Sequence, residues 1–376
     1  MSRHITWVSP RTSEGMVYKG MMSGLSVPNS GGIHMKSLAE HIFDREADGI
    51  GLKTAVIEHA VMRRGVPYRR LNNHVILVEP PEAAAVVFYD MLGPSVSAAG
   101  SYLGDRKPDS RKLLAERGIS TPETALFSRK QRNKGWEFAQ GLAGAAVVKP
   151  TRLARGRGVT TDIRAYEDFR VAWDKAFDAY RSNSRGRQVI VEEFFTGDDF
   201  RCFVVGGRFI SATQRRRPQV IGDGVSTVKS LIESKNEVRA EHPTLHTYPI
   251  PTDIVLLDQL RASGLGLDYV PEAEEVVVLR RTSNLSGGGD SVDMTDVIHP
   301  AFRDIAVRAV DAIPGMGYMG VDIIATTITE PPTSANHVVT EVETSPGPMT
   351  DFPVVGAPRD MAGSILDYYF PSQKDA

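Results

Sequence analysis

The sequence predicts an α+β protein in which antiparallel strands carry helices on one face. The chain has 376 residues, which is too long for one ordinary hydrophobic core, so two or three packed units are expected. Strand patterns crowd the stretch from residue 121 to residue 370, and the Gly206-Gly207 pair between two of them is typical of a tight hairpin. Glycine-rich loops separate these strands, and this arrangement suits a phosphate ligand held between two sheets.

The composition limits the kinds of function that the chain can have. A net charge of −2 argues against a basic nucleic-acid binder and against a disordered acidic tail. No apolar run approaches the roughly 18 residues of a membrane helix, and the first residues lack a signal-peptide core. Cys202 is the only cysteine, which excludes an intrachain disulfide and a cysteine-rich zinc site. We therefore expect a soluble cytoplasmic protein without nucleic-acid or membrane partners.

The first hundred residues predict a small α/β unit. A helix is expected at residues 52–64, closed by Gly65, and short strands at residues 73–78 and 84–89. A further helix is expected at residues 111–117, ended by Gly118. Residues 1–44 give no clear assignment.

The remainder of the chain predicts alternating strands and helices. We expect strands at residues 145–149, 188–195, 200–205, 208–214, 276–281, 320–327 and 337–344. We expect helices at residues 166–180 and 300–313.

Lys149 begins the first candidate site, since it ends a buried strand and is followed by Gly156 and Gly158. A lysine offers a point charge to a phosphate, and glycines let backbone N–H groups approach phosphate oxygens. A surface lysine beside an ordinary turn is the alternative. No Gly-x-x-x-x-Gly-Lys-[Ser/Thr] sequence is present, so a P-loop is excluded.

The strand that carries Glu192 begins the second candidate site. Residues 189–195 are largely apolar and run into an acidic turn, and such a strand can hold adenine against its backbone. A carboxylate a few residues later could accept from ribose hydroxyls. An edge strand with a solvated acidic turn is at least as good an interpretation of this segment alone.

Three carboxylates on the last two strands form the third candidate site. Glu341 and Glu343 share a face because side chains alternate along a strand, and Asp322 reaches that face if the two strands pair. Clustered carboxylates repel one another unless a cation joins them, and hard oxygen ligands favour magnesium. A solvated polar face is the alternative.

Arginines at the ends of strands form the fourth candidate site. Arg201 lies on the first arm of the hairpin, Arg215 ends the second arm, and Arg280 ends a later strand. Guanidinium groups bind carboxylates and phosphates in bidentate geometry. Solvated surface charge accounts equally well for about half of the arginines in these segments.

The order of these motifs resembles the ATP-grasp superfamily, and most closely the ligase core of cyanophycin synthetase and of bifunctional glutathione synthetases. The most specific segment is residues 219–227, Gln-Val-Ile-Gly-Asp-Gly-Val-Ser-Thr, followed by Leu231-Ile232 and Asn236. Residues 284–289, Asn-Leu-Ser-Gly-Gly-Gly, and residues 295–300 are similar to the family's second loop and helix start. Residues 320–323 and 341–347 are similar to its metal-binding strands. The resemblance covers roughly residues 95–370.

The resemblance implies a fold and a set of site residues. It implies an ATP-grasp unit at residues 96–370, preceded by the smaller α/β unit at residues 1–95. Two α+β subdomains would grip ATP, a small lobe at about residues 121–200 and a larger lobe at about residues 200–370. The nucleotide-binding residues implied are Lys107, Lys149, Gly156, Gly158, Glu192, Glu193, Phe195 and the ribose-binding Asp199. Magnesium would be held by Asp322, Glu341 and Glu343. The acyl and γ-phosphate would lie near Arg201, Arg215, Arg280 and Asn284.

The resemblance also implies a reaction. The chain would form an amide or peptide bond through an acyl phosphate, with ATP and Mg²⁺ or Mn²⁺, and release ADP and phosphate. Amino acids or small peptides would be the substrates. The family commonly has Asn where this chain has Glu343, and residues 214–218 differ from its pattern near the acceptor site. A peptide-modifying ligase of a natural-product pathway and a non-catalytic ATP-binding regulator remain alternatives, and a homodimer is the base-rate expectation.

Overall fold

The computed structural model describes residues 35–151, 157–180 and 187–371. It begins with two helices, α1 (Leu38–Ala47) and α2 (Leu52–Arg63), followed by strands β1 (Tyr68–Asn72), β2 (Val75–Val78) and β3 (Val86–Tyr89). Ser37 and Glu40 form a capping box that starts α1. The predicted mixture of helix and strand is therefore present, but β1, β2 and β3 pair antiparallel, because short turns join them without a crossover.

Two consecutive helices lead from this unit into the rest of the chain. They are α3 (Ala98–Asp105) and α4 (Lys107–Glu116). Helix α4 begins four residues before the predicted start, because Pro108 suits the first helical turn and Asp109 favours its positive end. Lys107 is consequently the first residue of a helix.

The small lobe is a four-stranded antiparallel sheet covered by two helices. The sheet has the order β4 (Thr124–Ser128), β7 (Gln188–Glu193), β5 (Ala146–Pro150) and β6 (Thr160–Ile163). Helices α5 (Arg132–Gly141) and α6 (Tyr166–Asp178) pack on one face around Phe169, Trp173 and Phe177. Lys149 and Glu192 alternate with the strand residues of this core and therefore project from the opposite face.

The large lobe is a five-stranded antiparallel sheet. Its order is β12 (Asp290–Asp293), β9 (Arg208–Arg216), β8 (Asp198–Val205), β13 (Tyr318–Ala325) and β14 (His337–Glu343). The predicted hairpin between β8 and β9 is confirmed, with φ of 54° at Gly206 and 72° at Gly207. The last two strands pair antiparallel, which meets the condition for Asp322 to share a face with Glu341. Helix α9 (Pro300–Asp311) packs on one face of this sheet.

The insertion that follows β9 matches the sequence patterns only at its last strand, which we expected at residues 276–281. It contains β10 (Gln219–Ile221), α7 (Val228–Ala240), α8 (Ile254–Ala262) and β11 (Val276–Val278), which build a separate small core. Strands β10 and β11 pair antiparallel although 54 residues separate their nearest ends, from residue 221 to residue 276.

The first unit and the large lobe share one hydrophobic core. Phe203 and Tyr318 of the five-stranded sheet pack with Ile57 and Phe88 of the first unit, and with Ile365 of the last helix, α10 (Met361–Tyr369). Because Phe203 alternates with Cys202 and lies on the face away from α9, this core covers one end of that face. The other end carries charged side chains. None of the described helices is long and apolar enough to cross a membrane.

Candidate active site

The exposed part of the five-stranded sheet carries a cluster of charged side chains on one face, which we call the polar face. Strand register brings them together, because Arg201 lies directly opposite Asp322, Asp322 opposite Glu341, and Asp199 opposite Arg215. Directly opposed residues of an antiparallel pair point to the same side of the sheet. The polar face consists of Asp199, Arg201, Arg215, Asp322, Glu341 and Glu343.

Asp322 lies at the centre of the polar face and is only 1% exposed. Arg201 donates to its two oxygens from Nε at 2.6 Å and from Nη2 at 2.8 Å, and Arg215 donates from Nη2 to Oδ2 at 2.8 Å. Burial alone would raise the pKa of Asp322, but the two guanidiniums outweigh burial and hold that pKa well below its usual range. Asp322 is therefore a fixed negative charge that orients both arginines.

The two glutamates of β14 are more accessible than Asp322. Lys107, at the start of α4, forms an ion pair with Glu341. Glu343 accepts from the backbone N–H of Ser345 at 3.2 Å, and its other oxygen lies 3.7 Å from Arg201 Nη2. Gly320 lies opposite Glu343, and a Cβ there would come within 3.3 Å of both the Glu343 and Arg201 side chains. A glycine at this position keeps room for the side chains around it.

The carboxylates of the predicted magnesium site also have side-chain counter-ions. Over residues 35–151, 157–180 and 187–371, no group of three or more His, Cys, Asp or Glu side chains is arranged to hold a metal ion. Arginine and lysine side chains relieve part of the repulsion between Asp322, Glu341 and Glu343. The donor chemistry of Glu341 and Glu343 still suits Mg²⁺, because both offer carboxylate oxygens on one accessible edge. The metal assignment stays a prediction.

A second cluster lies on the small lobe, around Glu192. Lys149 Nζ donates to Glu192 Oε1 at 2.6 Å, and Arg111 Nη1 donates to Oε2 at 2.5 Å. Burial raises the pKa of Glu192, but Arg111 and Lys149 outweigh it and hold that pKa at about 2. Burial lowers the pKa of Lys149 to about 8, although Glu192 opposes this shift. At neutral pH both members of the pair are charged.

Arg111 connects the two lobes, and sequence reasoning missed it. Besides its bond to Glu192, it donates from Nε and Nη2 to the carbonyl of Thr340 at 3.0 and 2.9 Å, next to Glu341 on β14. Lys107 and Arg111 are four residues apart on α4 and therefore lie on the same side of the helix. That i,i+4 spacing is the one signal in the sequence that could have linked Arg111 to the predicted site.

The predicted ribose-binding residue, Asp199, lies at the border of the polar face. It accepts a hydrogen bond from Ser283 and lies 3.4 Å from Arg215 Nη2. Asn284 follows Ser283 and begins a glycine loop that we define as residues 284–289. Arg280 lies apart from the polar-face ion pairs, since its Nη2 donates to Asp253 Oδ1 at 2.5 Å and to the carbonyl of Pro251 at 3.4 Å. Asn284 is thus part of this loop, Asp199 is hydrogen-bonded to the residue before it, and Arg280 Cδ would lie 3.9 Å from a Cβ at Gly287.

The remaining predicted nucleotide contacts have ordinary structural partners. The backbone N–H of Glu193 donates to Glu123 O at 2.9 Å, and Phe195 follows the end of β7. Gly158 has φ of 72°, a backbone conformation that favours glycine, and a Cβ there would come within 3.0 Å of Pro150. Gly156 lies outside the described residues.

Comparison with known proteins identifies relatives of this chain. Cyanophycin synthetase from Nostoc sp. is 31% identical over 329 residues, which cover 86% of this chain and 36% of that protein. The glutathione biosynthesis bifunctional protein of Mannheimia succiniciproducens is 32% identical over 274 residues, covering 71% of this chain and 35% of that protein. The chain thus spans about a third of the length of these curated relatives. No family model matches the chain.

A solved structure supports the same relationship. The crystal structure of a bifunctional glutathione synthetase from Pasteurella multocida superposes with a TM-score of 0.66 at 26% identity, over 86% of this chain and 44% of that chain. The two antiparallel sheets and the sequence relatives point to the same family of proteins. The chain belongs to the ATP-grasp superfamily, as a relative of cyanophycin synthetase and of bifunctional glutathione synthetase.

Proposed function

We propose that this protein is an ATP-dependent carboxylate–amine ligase that works through an acyl phosphate. A substrate carboxylate attacks the γ-phosphorus of ATP, ADP leaves, and an amine then displaces phosphate from the acyl carbon to form an amide. The proposed substrates are amino acids or small peptides. The relationship to cyanophycin synthetase and glutathione synthetase supports this class of reaction.

One observation carries the proposal. Helix α4 lies between the two sheets and joins both charged clusters, because Lys107 pairs with Glu341 on the large lobe and Arg111 pairs with Glu192 on the small lobe. Lysines from two separate segments, Lys107 and Lys149, therefore lie close to each other, near the helix that contacts both lobes. Cations gathered in this way suit the phosphates of a nucleotide held between two sheets.

The polar face supports the second half of the proposal. Transfer of a phosphoryl group needs positioning and charge neutralisation more than covalent chemistry by the protein. Arg201 and Arg215 are fixed by Asp322, so their remaining N–H groups are pre-oriented toward a developing negative charge. Magnesium held by Glu341 and Glu343 would supply further neutralisation of phosphate charge.

We also propose that the first unit, the domain at residues 1–95 that precedes the ATP-grasp unit at residues 96–370, contributes to the substrate side of the site. Lys53 of α2 donates to the carbonyl and the hydroxyl of Ser345 at 2.5 and 2.7 Å, two residues after Glu343. Burial lowers the pKa of Lys53, and the charge of Glu343 opposes this shift. The first unit therefore brings a cation to the end of β14.

The test is ADP and phosphate release from ATP with magnesium, measured against a panel of amino acids and short peptides, with hydroxylamine as a surrogate amine. Carboxylate-dependent ADP release together with hydroxamate would support the acyl-phosphate mechanism and identify the activated substrate. Release of AMP and pyrophosphate would refute it. Asp322→Asn serves as the matched control, because the change is nearly isosteric and removes the charge that orients Arg201 and Arg215.

A further inference from the structure

Helix α7 carries a buried arginine, Arg239, that reaches the backbone at Tyr248 and at both ends of the glycine loop. It is 3% exposed. Its Nε and Nη2 donate to the carbonyl of Tyr248 at 3.0 and 2.8 Å, and Nη2 also donates to the carbonyl of Leu285 at 3.1 Å. Its Nη1 donates to the carbonyl of Gly289 at 3.0 Å and to Asp290 Oδ1 at 3.1 Å. One guanidinium therefore holds both ends of the glycine loop.

Two neighbouring residues of α7 hold the segments that lie beside the glycine loop. Lys235 Nζ donates to Asp290 Oδ2 at 2.5 Å. Asn236 accepts from the N–H of Ile250 at 2.7 Å and donates to its carbonyl at 3.1 Å, as a peptide partner in a sheet would. Gly288 packs directly on Ile250, where an added Cβ would come within 2.8 Å, and its φ is 99°. The glycine loop thus rests on a backbone segment that α7 fixes.

The glycine loop is attached to the polar face at both ends. Ser283, just before the loop, donates to Asp199. Just after the loop, Asp290 opens β12 and Ser291 lies opposite Arg215. A shift of the loop would therefore move groups beside both Asp199 and Arg215.

We propose that Arg239 is a positioning residue that fixes the glycine loop against the polar face. The proposal rests on the ligase function proposed above. Burying a guanidinium is unfavourable unless its N–H donors are paired. Here the acceptors are backbone carbonyls of the glycine loop and of Tyr248, together with the carboxylate of Asp290. A planar fork can span these segments at once, whereas the ammonium of a lysine cannot. The role therefore depends on the shape of the guanidinium as well as on its charge.

The test uses the full chain with Arg239→Lys and Arg239→Met. Arg70→Met is the matched control, because Arg70 forms a comparable ion pair with the buried Glu58, in the first unit and away from the site. Three quantities are measured: hydrogen exchange at the amides of residues 284–289, the Kd of ADP, and kcat and KM for ATP. The first two do not need turnover, so they test Arg239 even if the proposed reaction is wrong.

We expect both Arg239 variants to exchange faster in the glycine loop and to bind ADP about tenfold more weakly, the size of one lost hydrogen bond. We expect kcat to fall by about 10- to 100-fold, as for a misplaced reacting group. Arg70→Met should lower the melting temperature without these effects. Wild-type loop exchange and ADP affinity in folded Arg239→Met would overturn the proposal, as would full recovery in Arg239→Lys. If Arg239→Met does not fold, Arg239→Lys carries the same comparison.

Discussion

Replacing Glu192 by glutamine would leave two buried cations, Arg111 and Lys149, without their shared counter-ion. The magnitude follows from the pKa of Glu192, which falls from an ordinary 4.5 to about 2 in the folded protein. At 1.36 kcal/mol per tenfold change, this shift corresponds to about 3 kcal/mol of stability at neutral pH. Breaking a buried ion pair by removing one partner costs about 3–5 kcal/mol, in agreement with that figure. We therefore expect Glu192→Gln to lower the free energy of unfolding of the small lobe by about 3 kcal/mol.

Urea unfolding followed by tryptophan fluorescence measures this loss of stability in the small lobe. Of the three tryptophans, Trp136 and Trp173 lie in or against the core of the small lobe, and Trp7 lies outside the described residues. Glu167→Gln on α6 is the matched control, because Glu167 is largely exposed and its ion pair with Arg170 should contribute about 0–1 kcal/mol.

The pH dependence provides an independent check. Because folding lowers the pKa of Glu192, its contribution is complete above pH 4.5 and is lost as pH falls toward about 2. The difference in stability between wild type and Glu192→Gln should therefore shrink over that range. Equal stability of the two proteins at neutral pH, or a difference that does not change with pH, would refute the reasoning.

Three other perturbations test different parts of the structure. Asp322→Asn removes the counter-ion of two guanidiniums, so ADP release should fall by about 10²–10³-fold; near wild-type turnover would contradict a central role for Asp322. Because burial lowers the pKa of Lys149 to about 8, ADP affinity measured by calorimetry should weaken as pH rises through about 8, and Lys149→Arg should remove that dependence. Gly207→Ala places a side chain at φ of 72° and should cost about 1–2 kcal/mol in urea unfolding. Gly141→Ala, with open space around its Cβ, is the control, and an equal loss there would argue against a conformational cause.

The candidate site was only partly accessible from the sequence. The patterns predicted Lys149, Glu192 and Asp322 as site residues, and the family resemblance implied Lys107. The structure brings their side chains into two charged clusters joined by α4. The three carboxylates predicted as a magnesium site also pair with arginine and lysine side chains of the chain itself. Pairing of this kind could not be predicted because Lys107 and its partner Glu341 are 234 residues apart.

Elements that depend on near neighbours in the chain could be predicted from the residues alone. The hairpin at Gly206 and Gly207 follows from the positive φ that two adjacent glycines allow, and the strands around it follow from alternation along a few residues. The contacts of Arg111 and Arg239 follow from the fold instead. Arg111 pairs with Glu192, 81 residues away in the chain, and Arg239 pairs with Asp290, 51 residues away. Local patterns carry backbone preference and periodicity, whereas the partner of a buried charge depends on which strands and helices the fold places side by side.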